Sequence, residues 1–241
     1  LAKSPKAGVD ERRRSQVALQ LDDGLIVGVP SARVEIVAQV LSNLAAPLGP
    51  IAGGKALRVP RFQSALLLDL DAPQHGLRYR GDPHFLDLGR RIASFNGIRE
   101  LPEPPGLGVS LRGYQRQALG WLNFLSDIDS GGCLADDMGL GKTVQMLAHL
   151  LAQKLGGQAD RPSLVVAPTS VLGNWVREAA RVTPQLKVLL LHGPRRHADF
   201  DLIPQHDLCI TSYALLPRDE ELLSNTPFHL VILDEAQHIK N

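Results

Sequence analysis

"CLADDMGLGKTVQ", residues 133–145, decides the fold. Gly139, Gly141, Lys142 and Thr143 lie between a short apolar run, CLA at 133–135, and a stretch where Val144, Leu147, Leu151 and Leu155 recur at helical spacing. That is the strand–loop–helix setting of a phosphate-binding loop, G-x-x-x-x-G-K-[ST]. Glycines let the backbone turn tightly enough for successive N–H groups to face one phosphate. A helix starting near Lys142 adds unsatisfied N–H groups and about half a positive charge at its N-terminus. Lys142 is then placed to reach the β- and γ-phosphates of a nucleotide, and Thr143 to offer its hydroxyl to Mg²⁺. The pattern asks for a glycine at position 136, where this chain has Asp136. Taken alone, the stretch also fits a glycine-rich turn before an ordinary helix.

A second motif, "HLVILDEAQHIKN" at 229–241, narrows that choice. Its apolar residues bring a strand up through a sheet, and Asp234 and Glu235 emerge at the carboxyl end, the edge at which open α/β sheets bind ligands. Asp234 there can hold Mg²⁺ and Glu235 can orient or deprotonate an attacking water. Without the loop, the pair reads equally as a strand end with two solvated carboxylates. Further apolar runs occur at 164–167 (LVVA), 188–191 (VLLL) and 208–210 (LCI), mostly separated by helical patterns. Runs so uniformly apolar suit strands covered on both faces, hence an α/β domain with a mainly parallel sheet.

Toward the N-terminus the texture differs. Residues 1–15 are basic and poor in apolar side chains, a flexible lead-in in which Arg12, Arg13 and Arg14 form a solvated charge run. Alternating apolar positions on both sides of Asp22-Asp23-Gly24 predict a β-hairpin. A helix follows behind Ser31, with Val34, Val37, Leu41 and Leu44 on one face. KALRVP at 55–60 suggests another strand. Asp82 and Pro83 predict a helix start, followed by a face of Phe85, Leu88, Ile92 and Phe95. Residues 16–99 therefore read as a small α+β accessory domain, 100–110 as a Pro/Gly linker, and 111–241 as the nucleotide-binding lobe.

Composition sets outer bounds. The 241 residues are 44% hydrophobic and 21% charged with a net charge of +1, so bulk charge neither demands nor excludes a nucleic-acid partner. Two cysteines do not make a disulfide framework. The eight histidines lack metal-ligand spacing. No apolar run reaches the roughly 18 residues of a membrane span, and the expected location is the cytoplasm, at the nucleoid. The chain opens on Leu1 and stops seven residues past Asp234, which reads as a piece of a longer protein with an incomplete lobe.

"LADDMGLGKTVQ", "VVAPTSVLGNWVRE" and "VILDEAQHIKN" resemble the first, Ia and second motifs of the Swi/Snf-type ATPases, DNA translocases of the second helicase superfamily. In that family an Asp commonly stands where other P-loops have their first glycine, so Asp136 is itself a family mark. The resemblance covers about residues 107–241 and implies a RecA-like first lobe. In it Asp137, Met138, Gly139, Leu140, Gly141, Lys142 and Thr143 surround the ATP phosphates. Thr143 and Asp234 serve the Mg²⁺, and Lys142, Asp234 and Glu235 carry the hydrolysis. "LRGYQRQALGWLNFL" resembles the adenine-recognition segment, with Gln115 on the adenine edge and Gly113 where a proline is usual. Gln237 stands where the family often has His, a position that couples hydrolysis to lobe movement.

The resemblance further implies double-stranded DNA bound across two lobes, with Thr169 and Ser170 donating to its phosphates. Arg195 and Arg196 either assist or form an exposed turn. Trp175, with Leu172, Val176 and Ala179, reads as helix packing. The second lobe of the parent chain would supply an arginine to the γ-phosphate, worth about 10³–10⁵ in turnover. Two other functions stay open: a strand-separating RNA or DNA helicase, and a nucleotide-gated module whose residues 16–99 grip RNA polymerase or another DNA-bound protein.

Overall fold

The computed structural model describes residues 16–20, 24–45, 61–69, 80 and 82–239. The lead-in at 1–15, Asp22, Asp23 and the KALRVP stretch lie outside the described residues. Two compact units divide the chain, Leu1–Asn96 and Gly97–Asn241.

In the first unit, β1 (Gln16–Gln20) and β2 (Ile26–Pro30) form the expected antiparallel hairpin, with Gln16 opposite Pro30 and Gln20 opposite Ile26. Gly24 takes a φ of +83°, which L side chains rarely adopt, and so supplies the turn. Helix α1 (Ser31–Ala45) buries Val40 and Leu44 and leaves the expected Leu41 exposed. Helix α2 (Pro83–Ala93) starts as read from the sequence: Asp82 Oδ1 accepts a 2.9 Å bond from the His84 amide, with Pro83 in the first turn. Its buried face differs from the expected one. Leu86 and Gly89 are buried and Phe95 is exposed. Gly89 fixes that rotation, because a Cβ there would lie 2.8 Å from the Ser64 carbonyl oxygen. The helix lies against the 3₁₀ segment Arg61–Asp69 at the one position without a side chain.

The second unit holds a four-stranded parallel sheet in the order β4-β5-β3-β6, formed by β3 (Ser163–Ala167), β4 (Val188–Leu190), β5 (Leu208–Ser212) and β6 (Val231–Leu233). Helices α3 (Gly113–Asp127), α4 (Lys142–Leu155), α5 (Leu172–Val182) and α6 (Leu216–Ser224) complete it. Side chains alternate across a strand, and β3 is apolar on both sides for that reason. Val165 and Ala167 join a core with Leu147, Leu151, Trp175 and Ile210, while Leu164 and Val166 join another with Leu191, Ile203 and Cys209. Both faces of β3 and β5 are covered, as their uniform apolar runs require, whereas at the sheet's edges Leu190 of β4 and Val231 and Leu233 of β6 are exposed, contrary to that expectation.

Two local expectations are corrected. CLA at 133–135 is not a strand: residues 131–137 have no ladder partner, and Cys133 is exposed. Among the described residues the sheet ends at β6, and no strand pairs on its far side. Leu155, placed on the buried face of α4, is 52% exposed, because the helix ends there at Gly156.

The stretch 100–110 packs within the second unit. Leu101, Leu107 and Val109 lie against its cores. The Gly108 amide donates to the Val182 carbonyl at 2.7 Å, and Gln185 Nε2 donates to the Gly106 carbonyl at 2.7 Å. Among the described residues, no helix is long and apolar enough to cross a membrane.

Candidate functional site

The loop before α4 turns through two left-handed glycines, Gly139 at φ +87° and Gly141 at φ +78°. Its carbonyl groups are held from inside. Lys142 Nζ donates to the Asp136 carbonyl at 2.7 Å and to the Asp137 carbonyl at 3.1 Å. The Leu140 carbonyl faces three donors: Tyr114 Oη at 3.1 Å, Gln115 Nε2 at 3.1 Å and Gln145 Nε2 at 3.2 Å. Gln145 Nε2 also donates to Asp136 Oδ2 at 3.0 Å. The first-turn N–H groups of α4, from Lys142 on, have no intrahelical acceptor, as at any helix start. The loop thus ties its carbonyls back to the protein at the positively polarised end of a helix.

Asp234 follows β6 and is held at three points. Its amide donates to the Val166 carbonyl at 2.9 Å, continuing the ladder to β3. Its carbonyl accepts from Tyr213 Oη at 2.9 Å. Its carboxylate Oδ2 accepts from Trp175 Nε1 at 2.8 Å. Burial, followed by the charges of Asp234 and Glu235, raises the Tyr213 pKa, which keeps that hydroxyl a donor. Glu235 takes a left-handed backbone, φ +52°, uncommon for a residue with a side chain and costing on the order of 1–3 kcal/mol. Gln237 Nε2 donates to Glu235 Oε2.

Loop and carboxylates meet. Lys142, Thr143, Asp234, Glu235 and Gln237 line one cavity of about 670 Å³, with Met138 at its rim, 85% exposed. Apolar side chains, Trp121, Leu125 and Met146 among them, form much of the remaining wall. Asp234 and Thr143 together offer one carboxylate and one hydroxyl. Among the described residues no cluster of three or more His, Cys, Asp or Glu could cage a metal. Such a sparse set suits Mg²⁺, which keeps waters and shares its shell with substrate phosphates. At Gly139 and Gly141 the loop puts no side chain between its backbone and the cavity, so the residues present fit a Mg²⁺-nucleotide.

The other sequence-derived residues lie elsewhere. Gln115 is buried behind the loop, its Oε1 accepting from the Arg112 amide at 2.9 Å and its Nε2 spent on Leu140. Thr169 and Ser170 are exposed in the 3₁₀ turn Thr169–Val171 after β3. Arg196 is neither a DNA-facing nor an exposed residue. Its guanidinium grips Asp219 through two bonds of 2.7 Å, with side-chain exposures of 8% and 0%. Arg195, beside it, is exposed.

Sequence reading passed over Trp175 Nε1, Tyr213, Gln145 and Tyr114 as polar partners of the site. For Trp175 a signal existed, since a buried indole N–H almost always finds an acceptor. It sits on the buried face of α5 with Leu172 and Ala179, as expected, and its N–H reaches the site.

A family model described as the SNF2-related domain matches residues 114–241. A Bacillus subtilis (strain 168) protein, YwqA, named as an ATP-dependent helicase/translocase, is 41% identical over 169 residues, 69% of this chain and 18% of its own length. The Sulfolobus solfataricus SWI2/SNF2 ATPase core, solved in complex with dsDNA, superposes with a TM-score of 0.54 at 38% identity, over 59% of this chain and 30% of that one. The same core domain in a second structure gives 0.53 at 37% identity, over 61% and 29%. The chain thus spans under a fifth of the length of that curated relative and under a third of the solved chains. With more than half of its residues matched by the family model, and with the loop and the acidic pair on one cavity, the chain belongs to the SNF2-related domain family.

Proposed function

We propose that this chain carries the nucleotide-binding lobe of a motor that hydrolyses ATP to move along double-stranded DNA. The convergence of Lys142, Thr143, Asp234 and Glu235 on one cavity, in a member of this family, is the observation that carries the reading. The likeness to a core solved with dsDNA supports the duplex as the track.

The residues divide the work as follows. Lys142 exchanges the Asp136 and Asp137 carbonyls for the β- and γ-phosphates. Backbone N–H groups of the loop from Asp137 to Gly141 and the start of α4 complete the cradle. Thr143 and Asp234 hold Mg²⁺, which when bound neutralises charge on the phosphates. Glu235 orients the attacking water and takes its proton. Gln237, hydrogen-bonded to Glu235, is the coupling residue, reporting the state of that carboxylate to a second lobe of the parent chain. Gln115 reads the adenine edge, for which its Nε2 would leave the Leu140 carbonyl to the remaining donors Tyr114 and Gln145. Thr169 and Ser170 donate to DNA phosphates, which positions the duplex without reading its sequence.

The test is ATP hydrolysis by the intact protein with duplex DNA, single-stranded DNA and RNA, with strand separation measured in parallel. Duplex-stimulated hydrolysis without unwinding is expected. Stimulation by single strands together with unwinding would reassign the protein to strand-separating helicases. A Lys142→Ala protein that loses hydrolysis but keeps its cellular effect would reassign it to a docking module for RNA polymerase or another DNA-bound protein.

A further inference from the structure

Asp234 is gripped from the segments that follow β3 and β5. Tyr213 opens the turn after β5 and holds the Asp234 carbonyl. Trp175, 59 residues from Asp234 in sequence, holds the carboxylate itself. Trp175 lies in the first turn of α5, and α5 begins directly after the 3₁₀ turn that exposes Thr169 and Ser170. No slack segment separates that turn from the helix. Leu172, Trp175, Ala179 and Val182 are all buried against the sheet, so α5 moves with its first turn as one body. Among the described residues the carboxylate's other oxygen, Oδ1, takes no protein donor. The Trp175 bond therefore decides which way that oxygen faces.

We propose that Trp175 is a positioning residue that ties the Thr169–Ser170 turn to the Asp234 carboxylate, so that duplex phosphates on the turn set the carboxylate's aim at the nucleotide's cation. The inference rests on the translocase reading and adds to it a route by which DNA governs hydrolysis. Packing alone does not account for a tryptophan here. Phenylalanine fills nearly the same apolar space in α5, but only the indole carries an N–H donor. Thermodynamic linkage adds a second consequence. If the duplex improves the site's hold on the cation, the Mg²⁺-loaded nucleotide must tighten duplex binding by the same factor.

The experiment uses the full-length protein and Trp175→Phe. One readout is the Mg²⁺ concentration for half-maximal hydrolysis, with and without duplex. The other, independent of turnover, is duplex affinity with a Mg²⁺-loaded non-hydrolysable ATP analogue divided by duplex affinity with the same analogue in EDTA. In the wild type this ratio is expected to fall in the range of about 5–150-fold typical of coupled sites. In Trp175→Phe it should collapse to within about twofold of unity, with affinity for the metal-free analogue within the same margin. Wild-type coupling and wild-type Mg²⁺ dependence in Trp175→Phe would overturn the proposal.

Should Trp175→Phe not fold, Thr169→Ala/Ser170→Ala tests the same link from its exposed end. At saturating duplex its Mg²⁺ requirement should rise to the DNA-free value, and a requirement still at the wild-type level overturns the proposal. A wild-type protein with no duplex stimulation at all overturns the translocase reading and this coupling with it. Duplex stimulation in the wild type, with wild-type coupling and Mg²⁺ dependence in Trp175→Phe, removes the coupling alone.

Discussion

The Asp136 carboxylate accepts a 3.0 Å hydrogen bond from Gln145 Nε2, one turn into α4. The same nitrogen reaches the Leu140 carbonyl at 3.2 Å, so one fully buried amide holds the loop near both of its ends. A glycine at position 136 has no side chain to join that clasp. The residue that departs from the general P-loop pattern is the one that anchors this loop.

Asp136→Ala is therefore expected to weaken nucleotide binding. A hydrogen bond to a charged group contributes about 1.5–3 kcal/mol, and the lower figure alone is roughly tenfold in affinity. Asp136→Gly should be as poor, although it restores the general pattern. Titration with a fluorescent ATP analogue measures both, and a Gly variant that binds as well as the wild type would show that the clasp contributes nothing.

Glu235→Gln keeps the side chain's shape and a polar contact to Gln237 while removing the base. Turnover with duplex DNA should fall by about 10²–10⁴, the usual contribution of a general base, with nucleotide affinity close to wild type. Equal losses in affinity and turnover would instead place Glu235 in binding.

His149 makes stability depend on pH. It is 2% exposed, shares a 3.3 Å hydrogen bond with Ser126 Oγ and, among the described residues, has no partner for Nδ1. Burial, then repulsion from His229, lowers its pKa from 6.5 to about 4. Between those values the unfolded chain takes up a proton that the folded one refuses. Stability therefore falls as pH drops through that window, by on the order of 3 kcal/mol at its lower end. Urea unfolding of His149→Leu at pH 7 and pH 4.5 should show a flatter pH dependence than the wild type, and an unchanged slope would exclude His149 as its source.

The Arg196–Asp219 pair acts at lower pH. The Arg196 hydrogen bonds hold the Asp219 pKa below its ordinary value. Their stabilisation is complete above the usual carboxylate range and is lost as pH falls through the lowered one. Arg196→Met leaves the buried Asp219 carboxylate with the more exposed His197 ring, at 3.7 Å, as its remaining ion-pair partner among the described residues. Asp219→Leu leaves the buried guanidinium without its carboxylate, and either change alone should lower the melting temperature sharply. The double variant should recover most of that loss, because breaking such a pair costs more than replacing it. Additive losses in the cycle would contradict the pairing.

Chain-local features of this protein were legible in its residues. Uniformly apolar runs at 164–167, 188–191, 208–210 and 230–233 meant strands of one parallel sheet, which they form, although cover on both faces holds for β3 and β5 and not for Val231 and Leu233 of β6. Gly139 and Gly141 meant a tight turn before α4, which the structure makes with left-handed backbone at both, and Asp82 before Pro83 meant a capped helix start. Torsional freedom, caps and side-chain period depend on residues a few places away, so sequence alone determines them. The tertiary structure decided the rest. It left 133–135 without a ladder, turned α2 onto Gly89, committed Arg196 to Asp219 and brought the Trp175 indole to Asp234. Each of these depends on which backbone or polar group arrives opposite another from a distant part of the chain, and that meeting is set by strand order and helix rotation, which no short stretch of sequence contains.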